Sequence, residues 1–198
     1  ILVLIWLMIR PSSAEAATVG VIQVKGAIGP ATAGYIARAI KVSEERNDTC
    51  LILQLDTPGG LLDSTKDIVE SFYASKVPVV VFVAPSGANA GSAGTFITMA
   101  AHIAAMAPHS SIGAAHPVSI GSGGNVEKTD DVMKQKLENF AGSYIQSIAE
   151  KRGRNADWAR SAVVESASIT AEKALELNVI DLIAEDRSED GSAGMPRP

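Results

Sequence analysis

Ser92 stands in the run Gly91-Ser92-Ala93-Gly94, downstream of the turn Asp56-Thr57-Pro58-Gly59-Gly60. A serine becomes an acylating nucleophile when it sits on a sharp strand-to-helix turn with backbone N–H groups nearby to receive an oxyanion. Glycine lets such amides come close to a substrate carbonyl, and a helix opening at Ser92 aims free N–H groups and a positive dipole end at the developing charge. The pattern thus points to acyl transfer with Ser92 as nucleophile. The same small residues also suit a buried helix with Ser92 as its N-cap, so the local sequence leaves both roles open.

The surrounding elements must hold this turn in place. Apolar runs predict strands over 19–24, 50–55 and 77–83, alternating with helices over 31–45 and 61–74. The unbroken β-branched run of 77–83 is of the kind found in parallel sheets covered on both faces. Beyond it, 92–101 suits a buried helix of small residues, with short strands at 103–106 and 112–115 and a flexible glycine-rich loop at 121–124. A long helix over 130–151 carries Met133, Leu137, Phe140, Tyr144, Ile145 and Ile148 at helical spacing. Residues 168–173 cap a final helix that leads into a last strand at 179–183. This is a βαβ layout with right-handed crossovers, hence an α/β domain with a mostly parallel sheet.

At 198 residues, 46% hydrophobic and 20% charged, the chain fits one domain large enough to bury its own core. A net charge of −5 without any basic run excludes a nucleic-acid track. Cys50, the lone cysteine, excludes an internal disulfide and reads as a small buried residue. No cysteine or histidine spacing suggests zinc, and neither metal nor cofactor is expected. Residues 1–9 are apolar and lead through Arg10-Pro11-Ser12-Ser13 to Ala14-Glu15-Ala16, which predicts a secretory signal peptide over 1–16, truncated at its start. An uncleaved anchor would put the domain on the same, extracytoplasmic side. Residues 17–185 are then the folded domain, and 186–198, polar and rich in Gly, Ser and Pro, a disordered tail or linker.

Five ordered segments carry a family resemblance: Leu55-Asp56-Thr57-Pro58-Gly59-Gly60, Gly91-Ser92-Ala93-Gly94, Ser111-Ile112-Gly113-Ala114-Ala115-His116-Pro117-Val118, Lys151-Arg152-Gly153-Arg154-Asn155-Ala156 and Ile169-Thr170-Ala171-Glu172-Lys173-Ala174-Leu175. Together they resemble the protease domain of NfeD-type membrane-bound serine proteases, in the ClpP/crotonase superfamily and related to signal peptide peptidase A. The resemblance spans about residues 18–185 and implies a ClpP/crotonase-like spiral of ββα units. It further implies that Ser92 attacks the peptide carbonyl while Gly59, Gly60 and Ala93 furnish oxyanion N–H groups.

The resemblance also implies a Ser-Lys dyad, in which a desolvated lysine takes the serine proton because burial favours the neutral amine. In archaeal members that lysine precedes the Gly-Arg-Asn segment by seven residues, where this chain has Gln146. Lys134 and Lys136 lie roughly 60° and 100° from the centre of the long helix's apolar stripe, with Gln146 opposite. Lys136 is preferred because Lys136-Leu137-Glu138-Asn139 is similar to the Lys-x-x-Asn pattern of bacterial relatives; Lys134 is the alternative. His116 is a rival base at a spacing close to that of the ClpP histidine, although the strand into it aligns one residue out of step, which turns the side chain to the other face. No acid among Asp130, Asp131 and Asp181 stands out to orient it, and His102 and His109 read as surface or turn residues.

The implied function is an extracytoplasmic serine endopeptidase cleaving hydrophobic segments of membrane-associated proteins, with a stomatin-like (band 7) partner and at least a dimeric assembly. The alternatives are a protease-fold scaffold that has lost its base and holds a membrane partner, and Ser-His catalysis. An acyl-CoA enzyme of the crotonase type is disfavoured for a secreted domain.

Overall fold

The computed structural model describes residues 17–117 and 131–185, so the expected signal segment, the 121–124 loop and the tail lie outside the described residues. Five strands form one parallel sheet in the order β1-β2-β3-β5-β8: β1 (Val19–Lys25), β2 (Cys50–Asp56), β3 (Val79–Val83), β5 (Ile103–Met106) and β8 (Leu182–Ile183). A second, smaller sheet has the order β4-β6-β7: β4 (Asn89–Gly91), β6 (Ser111–Gly113) and β7 (Ser168–Thr170), with β7 antiparallel to β6. Among the described residues six helices accompany them: α1 (Pro30–Arg46), α2 (Leu62–Ala74), α3 (Ala93–Ala100), α4 (Asp131–Arg152), α5 (Ala156–Val164) and α6 (Ala171–Glu176).

The spiral is visible in how the chain repeats one step. A strand in the large sheet is followed by a short extended piece in the small layer and then by a helix: β3, β4, α3, and again β5, β6, then on toward α4. The first two turns do the same with single bridges, Ile28 to Gly60 and Thr57 to Ala90. The expected ββα organisation and parallel sheet are therefore present. β2 and β3 bury alternate residues completely, Leu51, Leu53 and Leu55 beside Val79, Val81 and Val83. The core continues through Ile36, Ile68 and Phe72 under one set of helices and Met99, Ile145 and Ala159 under the other.

Several boundaries differ from the sequence reading for identifiable reasons. β3 begins at Val79 rather than at 77 because Pro78 has no N–H for the ladder, although its carbonyl accepts from Leu51 at 2.9 Å. The last strand holds only Leu182 and Ile183, since the N–H groups of Val179 and Ile180 turn back to the Ala174 carbonyl at the end of α6. Residues 168–170 form β7 before the final helix, whose cap is Thr170. The helix α5, absent from the sequence reading, is capped by Asn155, whose side chain accepts from Trp158 N–H at 2.8 Å. Cys50 is half-buried, not buried: it opens β2 beside the edge strand β1. His102 is partly buried, and its Nδ1 accepts from Val79 N–H; burial, and then the nearby Arg152 and Arg154 charges, lower its pKa.

Candidate active site

Ser92 is the single residue between β4 and α3, with φ 48° and ψ −110°. A non-glycine residue held in the left-handed half of the map costs about 1–3 kcal/mol and persists only where its surroundings over-determine it. Those surroundings are explicit. Ser92 N–H donates to the Gly113 carbonyl at 3.2 Å, and Thr95 Oγ1 donates to the carbonyls of Ala90 and Gly113. β4 is zipped to the end of β2 by Thr57 N–H to Asn89 O at 2.7 Å and Gly91 N–H to Thr57 O at 2.9 Å. The Ser92 side chain makes no capping bond to its own helix, so the N-cap alternative is not what this serine does.

The paired glycines divide the work. Gly59 is buried, and its N–H is already taken by Thr57 Oγ1 at 3.0 Å. A Cβ at Gly59, whose φ is +131°, would come within 2.6 Å of Ser92 Cβ. Its role is therefore to leave room for the serine, and its expected part as an oxyanion donor is corrected: the donor was spent locally. Gly60 is exposed; on either side of it the Gly59 carbonyl accepts from Ile28 N–H and Leu61 N–H donates to the Ile28 carbonyl, while its own N–H has no acceptor among the described residues. Ala93 opens α3, so its N–H likewise has no partner within the helix. Among the described residues Gly60 and Ala93 thus each offer an unpartnered amide beside Ser92.

Both amides and Ser92 line one cavity of about 230 Å³. Leu61, Leu62 and Thr65 from the start of α2 form one wall, Phe96 of α3 and Ala115 and Pro117 a second, and Leu137 and Ala141 of α4 a third. Phe96 stacks on Tyr144, which stacks in turn on Phe140, tying α3 to α4. Burial above all, then Tyr73 and Glu70, push the Tyr144 hydroxyl up to about 12. The far end of α3 is held by two guanidinium groups. Arg152 Nε donates to Ala100 O at 2.8 Å, and Arg154 Nη1 donates to Met99 O and Ala101 O at 2.7 and 2.9 Å. Arg154 also pairs with Asp181, whose carboxylate accepts from Ala104 N–H. The Arg-Asn segment singled out in the sequence is therefore a clamp on the nucleophile helix.

The candidate bases separate clearly. His116 lies between two residues of the cavity wall, yet its Nδ1 bonds to the Val163 carbonyl at 3.0 Å. Because that carbonyl can only accept, Nδ1 carries the proton and the ring is tethered to α5; Nε2 is left as the acceptor, and His116 itself does not line the Ser92 cavity. Gln146 donates to Glu150 on the outer side of α4 and does not line the cavity, so a lysine at that position would face away from Ser92. Lys134 and Lys136 are both exposed on the first turns of α4. At about 100° per residue, Lys134 sits about 40° from the middle of the face that Leu137 and Ala141 present to the cavity, Lys136 about 120° and Gln146 about 160°. Of the acids considered for a histidine mechanism, Asp181 is engaged with Arg154, Asp131 is exposed on α4, and Asp130 lies outside the described residues. Thr57, Phe96 and Ala141 were missed by the sequence reading; only Thr57, inside the turn motif, carried a local signal. Among the described residues no three metal-ligating side chains cluster.

The family description NfeD1b, N-terminal domain, matches residues 18–193. The membrane-bound protease PH1510 of Pyrococcus horikoshii is 39% identical over 170 residues, covering 85% of this chain and 38% of that protein. The membrane protein NfeD1b of Bacillus subtilis is 29% identical over 130 residues, 66% of this chain and 29% of that protein. The chain thus spans well under half the length of these relatives. Among solved structures, a lysine-to-alanine mutant of the 1510-N membrane-bound stomatin-specific protease in complex with a substrate peptide superposes with a TM-score of 0.80 at 38% identity, covering 87% of this chain and 78% of that one. A serine-to-alanine mutant of the same protease gives 0.79 at 38% identity, covering 90% and 86%.

Proposed function

Since the chain belongs to the NfeD1b N-terminal domain family, we propose that it is a serine endopeptidase domain acting on extended apolar peptide segments of membrane-associated proteins, stomatin-like proteins among them, on the extracytoplasmic side. The observation that carries the reading is Ser92 at positive φ, opening onto an apolar cavity beside the unpaired N–H groups of Gly60 and Ala93. An acyl carbonyl placed there meets a nucleophile and two oxyanion donors at once, and each such donor is worth about 3–4 kcal/mol of barrier. The apolar walls suit a hydrophobic side chain of the substrate. Exposed Val132, Met133 and Phe140 along α4 suit association with another copy, which is the assembly we propose.

The base in this reading is a lysine at the start of α4. Lys136 is preferred for the Lys-x-x-Asn pattern it heads; helix rotation favours Lys134 as the second reading. In the 1510-N structures the exchanged serine and lysine are forty-one positions apart. That count from Ser92 ends in the first turn of α4, next to Lys134 and far short of Gln146. That spacing supports a lysine at the start of α4 as the base in this reading, which then asks nothing of Gln146.

Labelling by a fluorophosphonate probe tests the proposal. The protein should label and Ser92→Ala should not. Loss of the general base should slow labelling by about 10²-fold or more, so Lys136→Ala and Lys134→Ala decide between the two lysines, while His116→Ala should label as the parent does. Equal labelling of the parent and Ser92→Ala would end the nucleophile assignment.

A further inference from the structure

Among the described residues, Lys66 stands next to the wall of the Ser92 cavity, and the proposed chemistry does not use it. It follows Thr65 and lies one helical turn after Leu62, both of which line the cavity. Its Nζ reaches across from α2 to α4 and sits 5.7 Å from the centre of the Phe140 ring, one residue before Ala141 on the opposite wall. It is half-buried, whereas Lys134 and Lys136 are exposed. Asp63 and Glu70 stand three residues before it and four after it on the same helix, yet Lys66 makes no ion pair among the described residues. Among the described residues no charged side chain lines the cavity itself. The result is an ammonium held over an aromatic face beside an apolar cleft, with no carboxylate in ion-pair contact among the described residues.

From this geometry we infer that Lys66 is a specificity-determining residue that binds a carboxylate of the peptide next to the apolar side chain filling the cavity. The inference rests on the peptidase reading only in taking a peptide as the ligand. An apolar cleft with one cation at its edge discriminates by charge: a carboxylate gains an ion pair, a neutral group gains nothing, and a cation meets repulsion at a site partly withdrawn from water. The ring of Phe140 keeps the ammonium in place before the ligand arrives, so little side-chain freedom is lost on binding. The carboxylate can be a Glu or Asp side chain or the free C-terminus of the peptide, and these two sources are separable.

The test measures binding, not turnover, in the Ser92→Ala protein by fluorescence anisotropy with labelled peptides. Each has one leucine and blocked ends, with Glu, Gln or Lys scanned at the flanking positions; a further peptide has Gln and a free C-terminus. At one flanking position, or with the free C-terminus, the carboxylate peptide should bind about two- to fivefold tighter than its neutral partner, as for a well-placed ion pair near the surface. Lys66→Met should abolish that ratio and Lys66→Glu should reverse it in favour of the Lys peptide. The arm that responds identifies the source. A Glu-to-Lys ratio that is the same in Ser92→Ala and in Ser92→Ala with Lys66→Glu overturns the inference, and so does the absence of any charge preference. Fluorophosphonate labelling of the parent is scored separately, so a failure of the peptidase reading leaves the binding result standing.

Discussion

Removing the Arg154 guanidinium should cost the domain both stability and the alignment of its nucleophile. In Arg154→Met three hydrogen bonds disappear: two to the carbonyls of Met99 and Ala101 at the end of α3, and one to Asp181. Hydrogen bonds from a charged donor are worth about 1.5–3 kcal/mol each, and breaking one side of a buried ion pair costs about 3–5 kcal/mol. Two observations set where in that range the loss falls. The Arg154 side chain is only 2% exposed, so the carbonyls it serves have little access to water. Asp181, by contrast, is 39% exposed and keeps the Ala104 N–H at 2.7 Å, so its stranded charge is partly rehydrated. We expect a loss of about 3 kcal/mol in urea unfolding, at unchanged m-value. Arg154→Lys, which keeps the charge but lacks the planar five-donor fork that reaches both carbonyls and Asp181, should lie between the parent and Arg154→Met. Under fully native conditions the rate of Ser92 labelling should also fall, because the clamp fixes α3 at the end opposite its nucleophile. A loss below about 1 kcal/mol for Arg154→Met would refute the reasoning, since it would mean that Arg152 alone satisfies the end of α3.

Two further outcomes follow from the same geometry. In Gly60→Ala the new Cβ would lie 2.0 Å from the Ile28 carbonyl oxygen, a backbone atom that cannot yield without breaking the bridge to Ile28; labelling should fall by about 10²-fold or more as the Gly60 N–H moves away, and a variant that labels at the parental rate would dismiss Gly60 as a donor. Tyr144 is held at about 12 against the usual 10, so the folded state favours its neutral form. The stability this gives is present below pH 10 and is lost as pH rises from 10 toward 12. Ultraviolet titration of tyrosinate and urea midpoints in that window should differ between the parent and Tyr144→Phe, and identical curves would contradict the shift.

The large sheet was legible because its central strands read as long apolar runs, 50–55 and 79–83 above all, even though only alternate residues of each are fully buried. β4 and β7 were not, because three residues cannot display an alternation. α5 escaped notice because much of its buried face is alanine, Ala159 and Ala162, so the stripe lacks bulk. At the site, the serine and glycines could be read because their roles are local, set by a turn and a close approach. The division of labour between Gly59 and Gly60 could not, since it depends on where Thr57 Oγ1 points. Nor could the base be placed, because the phase of α4 is fixed by Phe96 stacking on Tyr144, a contact between helices far apart in sequence. Lys66 belongs with these: its meaning comes from Phe140, more than seventy residues on.

The backbone angle at Ser92 has a consequence for selection. Of all residues, glycine would occupy φ 48° and ψ −110° with the least conflict, so the amino acid that best suits the fold at this position is one with no hydroxyl. Ser92→Ala keeps the conflict and Ser92→Gly relieves it, which makes the first the better inactive reference and the second a candidate stabilising substitution. A lineage, or a laboratory screen, that rewards only thermal endurance will drift toward glycine here and lose the reactive group without any sign of damage.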